Sequence, residues 1–160
     1  MKENSTVKEQ SLNPQPAVRS KPQAETPQAE TCETVLDERI CAALHAASEK
    51  KAIDPVVLDL REIASFTDYF VIVGGQNERQ VQAISDEIYE QLKKAGESAA
   101  RVEGYKTAEW ILLDFGDFVV HVFEQKARKF YDLERLWRES KRVDLPAEFR
   151  DDGNSSLRTE

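Results

Sequence analysis

The chain has 160 residues, of which 40% are hydrophobic and 32% are charged, and its formal net charge is -8 at pH 7. Length and apolar content are sufficient for one domain with one core. The acidic balance argues against broad binding of nucleic acid, which needs clustered Lys and Arg. Because the chain has neither an apolar run of about 18 residues nor the apolar segment of a secretion signal, we expect a cytoplasmic protein without a membrane partner.

Residues 1–34 have the composition of a linker. They contain four of the six prolines, no aromatic residue, and a tandem repeat of Pro-Gln-Ala-Glu-Thr over 22–26 and 27–31. Such a segment has little apolar surface to offset the entropy lost on ordering. We therefore expect a disordered N-terminal extension over 1–34 and a folded domain over 35–140. The polar residues 141–160 predict a largely flexible tail, in which Val143, Leu145 and Phe149 are able to dock.

The first half of the domain predicts one helix and two strands. Thr34 and Asp37 resemble a capping box, which predicts that a helix starts at Thr34. Its apolar stripe is Leu36, Ile40, Leu44 and Ala47. Residues 56–60 and 69–73 are apolar runs typical of strands that are buried on both faces. Gly74 and Gly75 predict the end of the second strand.

The second half predicts a helix, a short strand, a hairpin and a last helix. Asn77 can cap the helix, and Gly96 can end it. The apolar stripe between them is Val81, Ile84, Ile88 and Leu92. A short strand at 101–103 and a hairpin of 110–115 with 118–123 follow. A last helix over 127–140 places Leu133, Leu136 and Trp137 together. This order predicts an α/β (α+β) fold, with a mixed central sheet of about five strands flanked by helices.

Cys32 and Cys41 are the only cysteines of the sequence. Their spacing matches no metal site, and a reducing compartment keeps thiols free. We therefore expect two free thiols, and neither a metal nor a cofactor.

Gly74-Gly75 follows a predicted strand and precedes a predicted helix, where nucleotidyltransferases hold a phosphate on backbone N–H groups. Two-metal chemistry also needs paired carboxylates on a rigid strand. The nearest candidates, Asp86 and Glu87, fall on the polar side of the following helix. We therefore favour a turn that needs two flexible residues over a retained transferase site.

Two other patterns with catalytic associations have simpler explanations. Asp114-Phe115-Gly116 matches a kinase motif, but the accompanying glycine loop and His-Arg-Asp loop are missing from the sequence, so a hairpin turn explains it better. His45 and His121 are the only histidines, and neither has a serine with an oxyanion-hole context. His121 alternates with valines, which predicts a place on a sheet face with a hydrogen-bond partner. A pH-sensing role is the alternative.

Cations and aromatic residues are mixed in the second half of the chain. This mixture can stack on RNA bases and neutralise phosphates, although interspersed acidic residues offset most of the field. The cations are Arg101, Lys106, Lys126, Arg128, Lys129, Arg135 and Arg138, and the aromatic residues are Tyr105, Trp110, Phe130 and Tyr131. We expect a peripheral contact with RNA rather than a dedicated RNA-binding groove.

Four segments together resemble the ribosomal silencing factor family, whose members are also called iojap-related proteins. They are TDYFVIVGG at 67–75 with RQV at 79–81, RVEGY at 101–105, WILLDFGD at 110–117 with VVHVF at 119–123, and YDLERLW at 131–137. The N-terminal extension and the residues after Ser140 are not part of the resemblance.

The resemblance implies a nucleotidyltransferase-like fold without catalytic residues, and therefore a protein that is not an enzyme. It also implies a factor that binds the large ribosomal subunit through its ribosomal protein number fourteen. Such a factor blocks joining of the small subunit and represses translation. An assembly factor of the large subunit is the alternative, and a nucleotidyltransferase is the alternative of another class. A homodimer off the ribosome is compatible with either binding function.

The same resemblance assigns the partner contact to seven residues. They are Trp110, Tyr131, Asp132 and Leu133, with Tyr105, Lys106 and Glu134 beside them. Half-exposed Trp and Tyr side chains are favoured anchors of interfaces. Core packing is the alternative for Trp110 and Tyr131, and a surface ion pair with Arg128 or Arg135 is the alternative for Asp132. An acidic factor also suits a basic ribosomal protein.

Overall fold

The computed structural model describes residues 31–150, which form one six-stranded sheet with helices packed on it. The helices are α1 (Cys32–Val35), α2 (Glu38–Glu49), α3 (Glu78–Lys94), α4 (Gln125–Tyr131) and α5 (Leu133–Leu136). The strands are β1 (Ile53–Asp59), β2 (Tyr69–Gly75), β3 (Arg101–Glu103), β4 (Trp110–Asp114), β5 (Phe118–Glu124) and β6 (Lys141–Arg142). A 3-10 turn, Ala147–Phe149, follows. The predicted α/β class is confirmed. Residues 1–30 of the predicted extension and residues 151–160 lie outside the described residues, whereas residues 32–34 of that extension belong to α1.

The sheet is mixed, with the strand order β3-β4-β5-β2-β1-β6. The central strands β2 and β5 run parallel, and every other neighbouring pair is antiparallel. Both central strands are buried along nearly their whole length, as their continuous apolar runs predict. The sixth strand, β6, has only two exposed residues and no apolar pattern. This is why the sequence predicts about five strands.

Two apolar layers cover the two faces of the sheet. On one face, α2 and α3 pack against the sheet, and the predicted α3 stripe of Val81, Ile84, Ile88 and Leu92 is fully buried. On the other face, Phe70, Phe123 and Leu133 belong to a second, smaller cluster. Among residues 31–150, only the short helices α4 and α5 and the β1–β2 loop lie over that cluster, so the described part of the chain leaves this face partly open. Within the described residues, we find no helix with the length and apolar character needed to cross a membrane.

The predicted start and end of α3 and the predicted hairpin turn are confirmed. The Asn77 side chain accepts a hydrogen bond from the Gln80 N–H at 2.8 Å and so starts α3. Gly96 follows α3 with a φ of +93°, a conformation that glycine adopts without the steric cost of a side chain. The Asp114 carboxylate accepts a hydrogen bond from the Gly116 N–H at 2.9 Å. Asp114-Phe115-Gly116 is therefore the turn between β4 and β5.

Both terminal helices are shorter than predicted. The first helix was expected to start at Thr34, but α1 ends at Val35, and Asp37 caps α2 by accepting a hydrogen bond from the Arg39 N–H at 2.7 Å. The last helix breaks at Asp132, which has a φ of +50°. Aspartate tolerates this left-handed conformation. The break separates α4 from α5 and leaves Leu136 72% exposed, so the predicted stripe with Leu133 does not form.

Residues 141–150 are part of the folded domain rather than of a flexible tail. Strand β6 pairs with β1, and Leu145 and Phe149 are buried, as predicted for residues able to dock. The Phe149 ring contacts the His45 ring with a centroid distance of 4.9 Å. The predicted boundary at residue 140 therefore separates this docked segment from the domain on which it packs.

Cys32 and Cys41 form a disulfide, so the prediction of two free thiols is wrong. The chain turns at Leu36 between α1 and α2, which brings the two Cα atoms to 5.8 Å. This separation is within the range that a disulfide spans. The sequence places Cys32 in the extension and therefore does not reveal that α1 returns to α2.

Reduction of the Cys32–Cys41 bond is expected to lower the free energy of unfolding by about 2 to 3 kcal/mol. The bond joins residues nine positions apart, and closing a loop of that size restricts the unfolded chain by this order of free energy. Urea denaturation with and without dithiothreitol measures the difference. A Cys32→Ala/Cys41→Ala variant should not respond to the reductant. Equal midpoints for reduced and oxidised wild type would contradict the prediction.

Candidate functional site

A continuous row of aromatic rings crosses the partly open face of the sheet. It starts in the β1–β2 loop, crosses β2, β5 and β4, and ends on α4. Neighbouring centroids in the row are 4.4 to 5.9 Å apart. The members of this aromatic row are Phe66, Trp137, Phe70, His121, Trp110, Tyr131 and Phe130.

Strand register explains why these rings meet. Trp110 lies opposite Phe123 in the β4–β5 pair, and Ile72 lies opposite His121 in the β2–β5 pair. Because side chains alternate between the faces of a strand, Phe70 and Trp110 then point to the same face. Helix α4 starts directly after β5, where the Glu124 carboxylate accepts a hydrogen bond from the Ala127 N–H at 3.2 Å. The end of α4 is thereby placed over β4.

Both ends of the aromatic row are exposed. Phe66 is 61% exposed at one end, and Phe130 and Tyr131 are 80% and 46% exposed at the other. Leu136, on the adjoining α5, adds a further exposed apolar side chain. Single exposed apolar residues are common, whereas a connected group marks an interaction surface. The geometry therefore favours binding of a protein with an apolar surface.

Trp110 forms the centre of the row and is half-buried. Its ring contacts Tyr131 and Phe123 at centroid distances of 4.9 and 4.8 Å, and its indole N–H donates to His121 Nδ1 at 3.1 Å. This geometry combines the two alternatives for Trp110, because one part of the ring packs on the core and the rest faces outward. Tyr131 lies farther out, and its ring is half-exposed.

His121 is 3% exposed and has the predicted hydrogen-bond partner, Trp110. Burial among the rings of Phe70 and Phe123 lowers the pKa of the imidazole to about 3. The ring is therefore neutral at physiological pH, which argues against pH sensing in that range. Among the described residues its Nε2 has no hydrogen-bond partner.

Three of the other predicted contact residues stabilise the fold. Leu133 is 7% exposed and belongs to the core cluster under the aromatic row. Glu134 accepts hydrogen bonds from Arg128 Nε and Nη2, each at 3.2 Å. Asp132 forms the junction between α4 and α5, and no ion pair with Arg128 or Arg135 is seen within residues 31–150. Asp132 and Glu134 also line a polar cleft of about 510 Å³ beside α4.

Arg128 explains why Glu134 is held in place. The Arg128 guanidinium is buried and donates to the carbonyls of Ile53 and Asp54 at 3.2 and 2.8 Å. A buried cation needs a paired anion and filled hydrogen bonds. Glu134 therefore supports the docking of α4 against β1, which reduces its availability to a partner.

Tyr105 and Lys106 lie on the turn between β3 and β4, and Tyr105 is hydrogen-bonded to α3 on the other face of the sheet. The Tyr105 hydroxyl donates to Asp86 on α3 at 3.1 Å, and Gln82 Nε2 donates to the Tyr105 carbonyl at 2.9 Å. The hydrogen bond to Asp86 raises the pKa of the Tyr105 phenol. The structure thus brings Trp110, Tyr131 and Leu133 together, but it does not bring Tyr105 to the aromatic row.

The two glycines of the possible phosphate site are strand residues, since β2 continues through Gly75. A Cβ at Gly74 would collide with the Gln125 side chain, and a Cβ at Gly75 would approach Val81 Cγ2 to 3.0 Å. The glycines therefore allow close packing of α4 and α3 on β2, and neither has the positive φ of a flexible turn.

The acidic candidates for metal chemistry are engaged elsewhere. Glu87 accepts a hydrogen bond from Gln91 Nε2 at 2.7 Å, and Asp86 accepts one from Tyr105. Between residues 31 and 150, no three His, Cys, Asp or Glu side chains are grouped so that they could hold a metal ion.

Sequence reasoning missed the far end of the aromatic row. Phe66 stands between polar residues in a loop, and Trp137 was expected on the buried face of a long helix. An isolated aromatic residue in a polar loop is a usable signal, because little else explains its presence there. The contact between Phe66 and Trp137, at 5.9 Å, depends on the break at Asp132 and has no sequence signal.

Comparisons with known proteins give consistent relatives. A family model described as "Ribosomal silencing factor during starvation" matches residues 33–160. The ribosomal silencing factor RsfS of Bacillus subtilis is 42% identical over 107 residues, which are 67% of this chain and 89% of that protein. A mouse protein named "Mitochondrial assembly of ribosomal large subunit protein 1" is 32% identical over 92 residues, which are 56% of this chain and 40% of that protein.

The fold agrees with a solved structure. A crystal structure of a protein from Bacillus halodurans has a TM-score of 0.61 and 41% sequence identity, and the match covers 68% of this chain and 98% of that chain. The match to the family model, over residues 33–160, includes the aromatic row.

Proposed function

The chain belongs to the ribosomal silencing factor family, and from this premise we propose that it binds the large ribosomal subunit and regulates translation. In detail, it binds through ribosomal protein number fourteen of that subunit and sterically prevents joining of the small subunit. It acts in the cytoplasm, without catalysis, and represses translation.

The observation that supports this proposal is the exposed end of the aromatic row, formed by Tyr131 and Phe130 beside the half-buried Trp110. Trp110 and Tyr131 are the predicted anchors, and they contact each other at a centroid distance of 4.9 Å. Phe130 extends the same surface outward. Interface hot spots are enriched in Trp and Tyr that are surrounded by further contacts that exclude water.

A steric block needs only a stable interface. A standard interface buries on the order of 1,600 Å² in total, and most of its energy comes from a few anchors. The rings of the row are already packed against one another, so ordering them on binding costs little entropy.

An assembly factor of the large subunit is the second candidate. The name of the mouse relative favours it, because that protein is named for assembly of the large ribosomal subunit. Both candidates use the same binding surface and differ in when the factor is bound. A transferase has less support, because Gly74 and Gly75 have a packing role and Asp86 and Glu87 have other partners.

The proposed function predicts that wild-type protein sediments with large subunits and lowers the yield of whole ribosomes when separated subunits are mixed at joining magnesium levels. Tyr131→Ala should weaken both effects about tenfold or more, which is the loss expected for an interface anchor. Tyr131 is half-exposed on α4, so its removal leaves the core largely intact.

Tyr89→Ala is the matched control, because Tyr89 is a partly buried tyrosine of α3, whose apolar stripe packs on the opposite face of the sheet. It should retain both effects. If wild type neither binds nor blocks, the proposed function fails. Binding without a block would favour the assembly factor. Sedimentation velocity of the free protein tests whether it forms a homodimer off the ribosome.

A further inference from the structure

The charge of the described chain is unevenly distributed. Residues 125–142 contain seven Lys and Arg against three Asp and Glu, a net charge of +4. Residues 31–124 contain nine Lys and Arg against 18 Asp and Glu, a net charge of -9. The positive segment comprises α4, α5 and β6. A local positive field on an acidic protein indicates a specific anionic partner rather than general attraction.

Most of these cations are exposed and available to a partner. Among the described residues, Arg128 pairs with Glu134 and Lys141 pairs with Glu62. The other five are exposed, and within residues 31–150 none of them forms an ion pair. We call these five the cationic surface: Lys126, Lys129, Arg135, Arg138 and Arg142.

The cationic surface adjoins the aromatic row. Lys129 and Arg142 line the same cleft beside α4, and Arg138 donates to the carbonyl of Arg135 at 3.3 Å. Phe130, which is 80% exposed, follows Lys129 directly, and Leu136 lies between Arg135 and Arg138. Exposed rings next to cations are the combination that stacks on bases while it neutralises phosphates.

We propose that the cationic surface contacts phosphates of ribosomal RNA beside the protein-binding surface. The inference rests on the proposed function, because that function brings the α4–α5 side of the molecule to a surface rich in RNA. A peripheral contact fits the five cations, since a dedicated groove would need a larger basic area than an acidic protein provides. An acidic protein surface would also bind these cations, so the experiment distinguishes ribosomal RNA from protein as the partner.

The experiment compares binding to intact large subunits with binding to isolated ribosomal protein number fourteen. The variant K126Q/K129Q/R135Q/R138Q removes four positive charges without removing an ion pair of the described residues. The matched control K50Q/K51Q/K93Q/K94Q also removes four charges from exposed lysines, near the ends of α2 and α3. Both proteins are full-length, and their folding is checked by urea denaturation.

For large subunits, the logarithm of the association constant is plotted against the logarithm of monovalent salt concentration at constant magnesium. Each phosphate contact adds about 0.9 to the downward slope for a duplex. We expect the variant's slope to be less steep by about 3 to 4 and its affinity at low salt to be lower. The control should retain the wild-type slope within about 1. Affinity for the isolated ribosomal protein should be unchanged in both.

The outcomes are distinct. A variant that loses affinity equally for the isolated protein and for the subunit would assign the cations to a protein contact and overturn the inference. Equal salt slopes for wild type, variant and control on large subunits would also overturn the inference. In that case, binding of wild type to the isolated ribosomal protein would leave the proposed function intact. Failure of wild type to bind either target would instead reject the proposed function.

Discussion

Replacement of Trp110 by alanine is expected to weaken binding to the large ribosomal subunit at least about 30-fold, which corresponds to about 2 kcal/mol. Trp110 holds the centre of the aromatic row, where it contacts Tyr131 and Phe123 and donates a hydrogen bond to His121. These contacts fix the ring before the partner arrives, so binding does not have to restrict its rotamers. A titration with labelled protein and purified subunits measures the loss.

One further variant and one folding measurement separate the loss of a contact from a loss of folding. Trp110→Phe keeps a ring in the row but loses the hydrogen bond to His121, and it should retain most of the affinity. Urea denaturation of Trp110→Ala must show a folded protein, because part of this ring packs on Phe123. If a folded Trp110→Ala variant binds as tightly as wild type, Trp110 is not part of the interface and its role is core packing alone.

The parts of the fold that depend on strong local patterns could be predicted from the sequence. The α3 stripe, the Asn77 cap, the end at Gly96 and the β4–β5 turn are all formed as expected. Each depends on residues close together in the chain, whose spacing and capping chemistry decide the structure. The sheet order could not be derived in this way, because pairing between distant strands leaves little trace in either strand.

The errors occur where tertiary contacts override local pattern. The helix over 127–140 has no glycine or proline to end it, yet the chain adopts a left-handed conformation at Asp132. The break allows Leu133 to enter the core while Arg128 bonds to the carbonyls of Ile53 and Asp54. Strand β6 likewise depends on pairing with β1, which is distant in sequence. The Cys32–Cys41 disulfide depends on the reversal of the chain between α1 and α2.

The candidate site was partly predictable for the same reasons. Trp110 and Tyr131 were assigned through the family resemblance, and the structure brings their rings together across β4 and α4. Asp132, Leu133 and Glu134 are adjacent to Tyr131 in sequence, but they serve the helix break, the core and Arg128. Adjacency in a motif therefore does not separate residues that contact a partner from residues that hold the contact in place.

Acidification is expected to destabilise the domain through His121. Burial lowers the pKa of this imidazole from 6.5 to about 3 in the folded protein. The unfolded chain therefore binds a proton at a higher pH than the folded one, and stability falls as the pH drops below about 6.5. Each pKa unit corresponds to about 1.4 kcal/mol, so the loss from His121 is about 2 to 3 kcal/mol at pH 4.5 and about 4 to 5 kcal/mol near pH 3.

The hydrogen bond to Trp110 links this loss to the aromatic row. His121 Nδ1 accepts a hydrogen bond from the Trp110 indole N–H. A proton on Nδ1 would turn this acceptor into a donor, so two N–H groups would face each other and the hydrogen bond would be lost. His121→Asn keeps an acceptor but does not titrate, and its unfolding free energy should fall less between pH 7 and 4.5 than that of wild type. His45→Asn, which changes an exposed histidine, should retain the wild-type pH dependence. If wild type and His121→Asn respond equally to acid, His121 is not the group that couples protonation to unfolding.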